Sequence, residues 1–255
     1  MRNLIWYALV TTTALAMSAS ISLADLKIGI AAEPFPPFSQ KAADGSWEGW
    51  EIDIIEAICE AMDEECELVP VAWEGIIPAL NAKKVDAIMA AMAITNERKK
   101  VIDFSNKYFD IPAVLVGRIG ENMDGTGKSL AGKRIGVQVS SVHAKYAETY
   151  FGDATIKTYS TFDEHNQDLA AGRLDAVIGG SLVFEEFLAS QGGSCCEIKS
   201  RFLNPEIFGQ GVGAGLRKGE EALQKRFNAA IAKIREDGTY AKISETYFRF
   251  DIFGE

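Results

Sequence analysis

Histidine is almost missing from this chain. His143 and His165 are the only two in 255 residues, and no Cys-x-x-Cys pair accompanies them. A structural zinc centre therefore has no ligand set, and no metal or other cofactor is expected. Basic residues are outnumbered, 26 Lys and Arg against 36 Asp and Glu, for a formal charge of −10. Such an acidic surface argues against nucleic acid or an anionic membrane as the main partner. Cysteine is scarce, with four in two pairs. Beyond the first two dozen residues there is no apolar run long enough to cross a membrane.

What remains is ordinary globular material, 47% apolar and 24% charged, long enough for one large domain or two lobes. The exception is residues 1–24. Met1-Arg2-Asn3 is a short basic start, LIWYALVTTTALAM an apolar run, and Ser22-Leu23-Ala24 offers small residues for cleavage. This reads as a secretory signal peptide, with the mature chain starting near Asp25. A membrane anchor is the weaker reading, because Thr11, Thr12, Thr13 and Ser18 interrupt the run. No cysteine follows the cleavage site, so a lipid anchor is not expected there. Loss of Arg2 takes the formal charge from −10 to −11. In an exported chain, Cys59 and Cys66 read as a local disulfide tying a helix end to the next strand, against the alternative of two buried thiols. A bridge between the neighbours Cys195 and Cys196 would be strained, which leaves free thiols or pairing between molecules open.

The mature chain alternates two patterns. LKIGIAA (26–32) is a short strand-like run before Pro34, Pro36 and Pro37. GWEIDIIEAICEAM (49–62) places Ile52, Ile55, Cys59 and Met62 on one helical face. CELVPVA, a helix near 74–82 and VDAIMAA continue the series. A second series runs from KRIGVQV (133–139) through helices near 141–151 and 163–171, with TIKTYS between them, to LDAVIGG (174–180). The stretch ALNAKKVDAIM (79–89) is echoed by DLAAGRLDAVI (168–178), although helix-to-strand turns also converge on such sequences. This grammar predicts α/β architecture in two lobes, with mostly parallel sheets. Extended segments at 108–118 and 209–218 read as two crossings between them, and a helical tail follows. Ligands of α/β sheets settle at the carboxyl ends of strands, so a cleft that closes by hinging is expected.

The pieces EPFPPFS, GWEIDIIEAIC, WEGIIPALNAKKVDAIMAAMAITNERKKVIDFS, GKRIGVQVSS, EHNQDLAAGRLDAVI and EDGTYAKISETYF carry a resemblance. Over 25–250 the chain resembles the periplasmic solute-binding proteins of polar amino-acid ABC transporters, family 3 of the bacterial extracellular solute-binding proteins. WEGIIPAL, AAMA, GVQVSS and EHNQDLAAGRLDAV are similar to its opine-binding branch. The resemblance implies a type II periplasmic binding fold. Lobe one would be 25–113 with 212–255, lobe two 114–211. It also implies a small-molecule carboxylate ligand, an ABC permease as partner, a monomer, and the Cys59–Cys66 disulfide of some basic-amino-acid binders.

By position, Arg98 falls on the family's carboxylate-binding arginine, and a guanidinium fork suits a carboxylate with two parallel bonds. Ala91 and Ala93 fall where backbone approaches the ligand. Ser140 and Ser141 fall on a hydroxyl pair at a helix start, and Gln138 on a distal polar contact. Phe35 and Trp73 would sandwich the ligand, a core role being the alternative for Phe35, and Glu33 would accept from a cationic side chain. Gly180 and Ser181 stand where binders of plain α-amino acids carry an aspartate for the ammonium. A buried ammonium without an anion is costly, so an opine or another ligand with a substituted nitrogen is favoured. The alternative is a cyclohexadienyl dehydratase-like enzyme, with Glu33 as the general acid, but no acid–base pair converges with it. The histidines are assigned structural roles. A stand-alone sensor is not expected from a chain ending FDIFGE.

Overall fold

The computed structural model describes residues 25–254, so the signal-peptide segment lies outside the described residues. In chain order the elements begin with β1 (Leu26–Ala31), a small hairpin of β2 (Gln40–Lys41) and β3 (Trp47–Glu48), and α1 (Trp50–Ala61). Next come β4 (Cys66–Val71), α2 (Ile76–Asn81), β5 (Ala87–Ile88), β6 (Asp103–Phe109) and β7 (Ala113–Arg118). Then follow β8 (Arg134–Gln138), α3 (Val142–Tyr150), β9 (Thr155–Tyr159), α4 (Phe162–Ala170) and β10 (Ala176–Gly180). The chain closes with α5 (Glu185–Ala189), β11 (Cys196–Phe202), α6 (Pro205–Phe208), β12 (Val212–Leu216), α7 (Glu221–Glu236) and α8 (Thr239–Tyr247).

Two five-stranded sheets result, ordered β4-β1-β5-β12-β6 and β11-β7-β10-β8-β9, each flanked by helices. In the first, β1 pairs parallel with β4 and β5, while β12 is antiparallel to both neighbours. In the second, β8 pairs parallel with β9 and β10, while β7 is antiparallel to both neighbours. Four strands of each sheet thus share a direction, and one opposes them. The opposing strands β7 and β12 directly follow the two passages between sheets, at 110–112 and 203–211. A chain arriving from the cleft must run away from it, against strands whose carboxyl ends point into it. Ala113, placed by the sequence at the end of lobe one, already pairs with Gly180 in the second sheet.

Sequence explains the passages. Pro112 cannot donate an N–H to a sheet, and it lies between β6 and β7. Gly209 at the return passage has φ of 86°, and a Cβ there would come within 2.3 Å of the Ile94 carbonyl oxygen.

The core of the first lobe is aromatic. Trp50, fully buried, packs edge-on against Phe109 at 4.9 Å, and Phe38 stacks on Phe109 at 5.1 Å. The indole Nε1 donates to Ser244 Oγ at 3.0 Å, pinning α8 to α1. A smaller cluster around Tyr146, Phe151 and Phe202 fills the second lobe. The Cys59–Cys66 disulfide joins the last turn of α1 to the start of β4, as expected. The other pair differs from expectation. Cys195 and Cys196 are bonded to each other, where a helical turn at Gly192–Cys195 meets β11. The change from helical to extended backbone between them turns the two sulfurs together.

Candidate functional site

Between the facing strand ends lies a cavity, open at its mouth. Arg98 enters it from a short helical turn after β5. The Arg98 N–H donates to Thr95 Oγ1 at 3.2 Å, which fixes the turn, and Nη1 donates to the Ala93 carbonyl at 3.1 Å. The guanidinium carbon sits 5.3 Å from the centroid of the Trp73 ring, in cation–π range. Burial pushes the Arg98 pKa down, to about 10, so the group is cationic at neutral pH. Among the described residues no carboxylate lies within ion-pair distance of it. A cation desolvated without an anion is costly, and an anionic ligand would relieve that cost.

Ala91 and Ala93 also line the cavity, but the Ala91 N–H is not a free donor. Ala91 is in the left-handed region, with φ of 49°. Its N–H donates to both Glu51 oxygens, at 2.8 and 3.1 Å. Glu51 is 1% exposed, and the Tyr108 hydroxyl donates to it from behind. Burial raises the Glu51 pKa to about 7 against those two hydrogen bonds, and pushes the Tyr108 hydroxyl well up. Glu33 lines the cavity too, its oxygens accepting the Trp73 N–H at 3.0 and 3.2 Å. The general acid required by the dehydratase alternative is thus already engaged by backbone. Trp73 reaches across the cleft, its Nε1 donating to the Val139 carbonyl at 3.1 Å. Phe35 meets Phe162 of the other lobe edge-on at 5.1 Å.

The sequence matches the family model "Bacterial extracellular solute-binding proteins, family 3" over residues 26–250. The chain belongs to that family. It is 40% identical to the L-arginine-binding protein of Pseudomonas aeruginosa over 233 residues, covering 90% of each chain. The lysine/arginine/ornithine-binding periplasmic protein of Escherichia coli is 36% identical, over 87% of this chain and 86% of that one. Among solved structures, an ancestral arginine-binding protein bound to arginine superposes with a TM-score of 0.80 at 33% identity. That match covers 88% of this chain and 98% of the other.

Within this family 3 protein, several expected ligand contacts stand differently. Ser141 lines the cavity, but its hydroxyl caps α3, accepting from the Ala144 N–H at 3.0 Å and donating to the Gln138 carbonyl at 2.7 Å. Ser140 is exposed, with φ of 56°, and is not part of the cavity wall. Gln138 does line it, its Nε2 donating to the Ser160 carbonyl at 3.2 Å. Gly180 and Ser181 do not. The Ser181 N–H donates to the Pro112 carbonyl at 2.9 Å, and a Cβ on Gly180 would lie 3.0 Å from Ile111 Cγ2. That strand end is packed against the first passage between sheets and takes no part in the cavity wall.

His143, Phe162 and Glu51 are among the residues at the site that escape the sequence reading. His143, assigned there a structural role, lines the cavity from the first turn of α3 with Nδ1 buried and without a partner. Burial, then the Arg98 charge, pushes its pKa down to about 4, leaving the ring neutral. Phe162 faces Phe35, and Glu51 holds Ala91 from beneath. His165 does have a structural place, fully buried 4.9 Å from the Phe162 ring.

Proposed function

We propose that this chain is the periplasmic solute-capturing component of an ABC importer. It takes an amino acid or amino-acid derivative and delivers it, as a monomer, to a membrane permease. The carrying observation is the guanidinium of Arg98, lodged at the strand ends without a carboxylate partner. Trp73 and Phe35 flank the solute. The first N–H groups of α3, which a helix leaves without intrahelical partners, approach it from the second lobe. The two lobes close about the passages at 110–112 and 203–211, and contacts from both sides make the closed form the one the solute stabilises. Relatives named for arginine, and for lysine, arginine and ornithine, support an amino-acid skeleton with a cationic end.

The finer reading is an opine-like N-carboxyalkyl amino acid in preference to a plain one. A free α-ammonium in a desolvated cleft needs an anion. Among the described residues Glu33 is the one carboxylate in the cavity wall, and it is engaged by Trp73. Position 180 accommodates only glycine without pressing on Ile111. An N-carboxyalkyl nitrogen carries its own compensation, because two carboxylates flank it within the ligand.

Calorimetric titration with L-arginine, L-lysine and N-(1-carboxyethyl)-L-arginine tests both levels. The N-carboxyalkyl ligand is expected to bind most tightly. Arg98→Ala is expected to weaken every one of these ligands by roughly a hundredfold or more, since charge-assisted bonds contribute about 1.5–3 kcal/mol each. Tighter binding of a plain amino acid overturns the finer reading. Unchanged affinity in Arg98→Ala overturns the anchor.

A further inference from the structure

Glu51 is not part of the cavity wall, yet it stands one peptide unit behind it. Its carboxylate accepts the Ala91 N–H with both oxygens, and Ala90 and Ala91 both line the cavity. The peptide between them is trans and planar, so the Ala90 carbonyl points opposite to the Ala91 N–H. An N–H directed back at Glu51 therefore turns the Ala90 oxygen toward the cavity. Among the described residues no donor is bonded to that oxygen. Ala91 is held in left-handed backbone, which is strained for an alanine, and its bonds to Glu51 offset the strain. Nor is any cation among the described residues paired with Glu51. An ionised carboxylate so enclosed is costly, and the nearest place a cation can reach is the cavity, across this one peptide.

We propose that Glu51 is the counter-charge for the solute's cationic nitrogen, acting through the Ala90–Ala91 peptide, and that capture of the solute expels a proton from Glu51. It touches no solute and is a positioning residue. It aims the Ala90 oxygen as an acceptor and, when ionised, polarises the peptide so that this oxygen accepts more strongly. This role rests on the Arg98 anchor, which places the solute's carboxylate at the strand ends and brings the neighbouring nitrogen to the same wall. Burial holds the Glu51 pKa up to about 7, so near neutral pH about half the molecules carry the proton before capture. A cation at the Ala90 oxygen favours the ionised form, and the proton leaves to water.

The groups around Glu51 leave this titration to it. Tyr108 faces it from β6, and behind that Tyr240 of α8 donates to the Tyr108 carbonyl; burial pushes both hydroxyls up. Charged groups on the elements packed against α1 are engaged elsewhere. Arg235 of α7 lies over the Tyr240 ring, Arg226 pairs with Glu64, and Glu48 of β3 is exposed and bonded to Gln40. Asp53 of α1 itself accepts from Tyr247. Across the cavity, Arg98 stays cationic. His143 would act with the opposite sign, since an anionic solute favours its protonated form and affinity would then rise as pH falls.

The probes are L-arginine and N-(1-carboxyethyl)-L-arginine. Calorimetry at pH 7 in buffers of different ionisation enthalpy counts the protons exchanged. Whichever probe binds is expected to release up to about half a proton from the wild-type protein. Its affinity is expected to rise by up to about tenfold from pH 6 to pH 8, as the ionised fraction of Glu51 grows. Glu51→Gln keeps an acceptor for the Ala91 N–H, and there both the release and the slope are expected to vanish while weaker binding persists. Tyr108→Phe removes a bond that favours ionised Glu51, and is expected to move the affinity profile to higher pH; it serves if Glu51→Gln fails to fold. A merely structural Glu51 would instead lower affinity equally at every pH and leave the proton count alone. No net release from the wild type, or release that survives in Glu51→Gln, overturns this role while the anchor stands. If neither probe binds, or Arg98→Ala binds them as tightly as wild type, the anchor fails and this role with it.

Discussion

Glu51 is a carboxylate enclosed in protein with no cation to pair it. Its folded pKa of about 7 lies above the ordinary value of 4.5, so between those limits the folded chain holds a proton that the unfolded chain releases. Stability contributed by the protonated form is complete below pH 4.5 and is lost as pH rises through 7, by up to about 3 kcal/mol. Glu51→Gln keeps an acceptor for the Ala91 N–H without the charge. Urea unfolding at pH 5 and pH 8 is expected to show wild type losing stability relative to this variant by about that amount. A difference that does not move with pH would show that Glu51 takes up no proton on folding. At this scale the sequence was partly legible. Arg98 stands out because a rigid charge follows directly on a strand of small residues. Glu51 does not, because an acid in a helix reads as a solvent-facing residue, yet its spacing to Ile55 and Ile58 places it on the buried face. The places of His143 and of the Ser141 hydroxyl were not legible for one reason. Which polar group a helix start keeps for its own cap, and which it offers outward, depends on side-chain direction that residue order does not state.

Elements were more legible than residues, with revealing exceptions. The helix expected at 49–62 is observed at Trp50–Ala61, and that at 163–171 as Phe162–Ala170. The strand expected from VDAIMAA is only Ala87–Ile88. Its remainder leaves the sheet, because the left-handed turn at Ala91 redirects the chain into the cavity wall. Two consequences belong here. The Cys59–Cys66 bridge closes a loop with a sequence separation of 7. On the chain-entropy account its removal in Cys59→Ala/Cys66→Ala is expected to cost roughly 2.5 kcal/mol by denaturant unfolding. Cys195→Ser/Cys196→Ser, whose bridge closes almost no chain, is expected to change stability far less; equal losses would refute the entropic account. Thr161 caps α4 in a reciprocal box with Glu164. Thr161→Ala is expected to lower stability by about 1 kcal/mol in the same assay, and a loss below a few tenths would show the cap to be idle.

For the whole molecule, two lobes and two passages could be read from the alternation of elements and from Pro112 and Gly209. The reversed strands β7 and β12 could not, since their direction follows from where the chain re-enters each sheet. Nor could the meeting of the lobes be read, which rests on contacts between residues far apart in sequence. The cleft is bridged by the Trp73 Nε1 bond to the Val139 carbonyl and by Phe35 against Phe162. The first is separable from the rest. Trp73→Phe keeps an aromatic face for Arg98 but removes the donor, worth about 1 kcal/mol, or roughly a fivefold shift from closed toward open. Small-angle scattering is expected to give a larger radius of gyration for the ligand-free variant than for wild type, and the same radius for both once saturated with L-arginine or its N-carboxyethyl derivative. Because a ligand that selects the closed form is weakened as that form becomes rarer, the variant's apparent affinity is expected to fall by up to about the same fivefold factor. The two readouts must move together. A variant that binds more weakly with an unchanged ligand-free radius would remove the Nε1 bond from the closing of the lobes and leave the loss to the indole's contact with the solute alone.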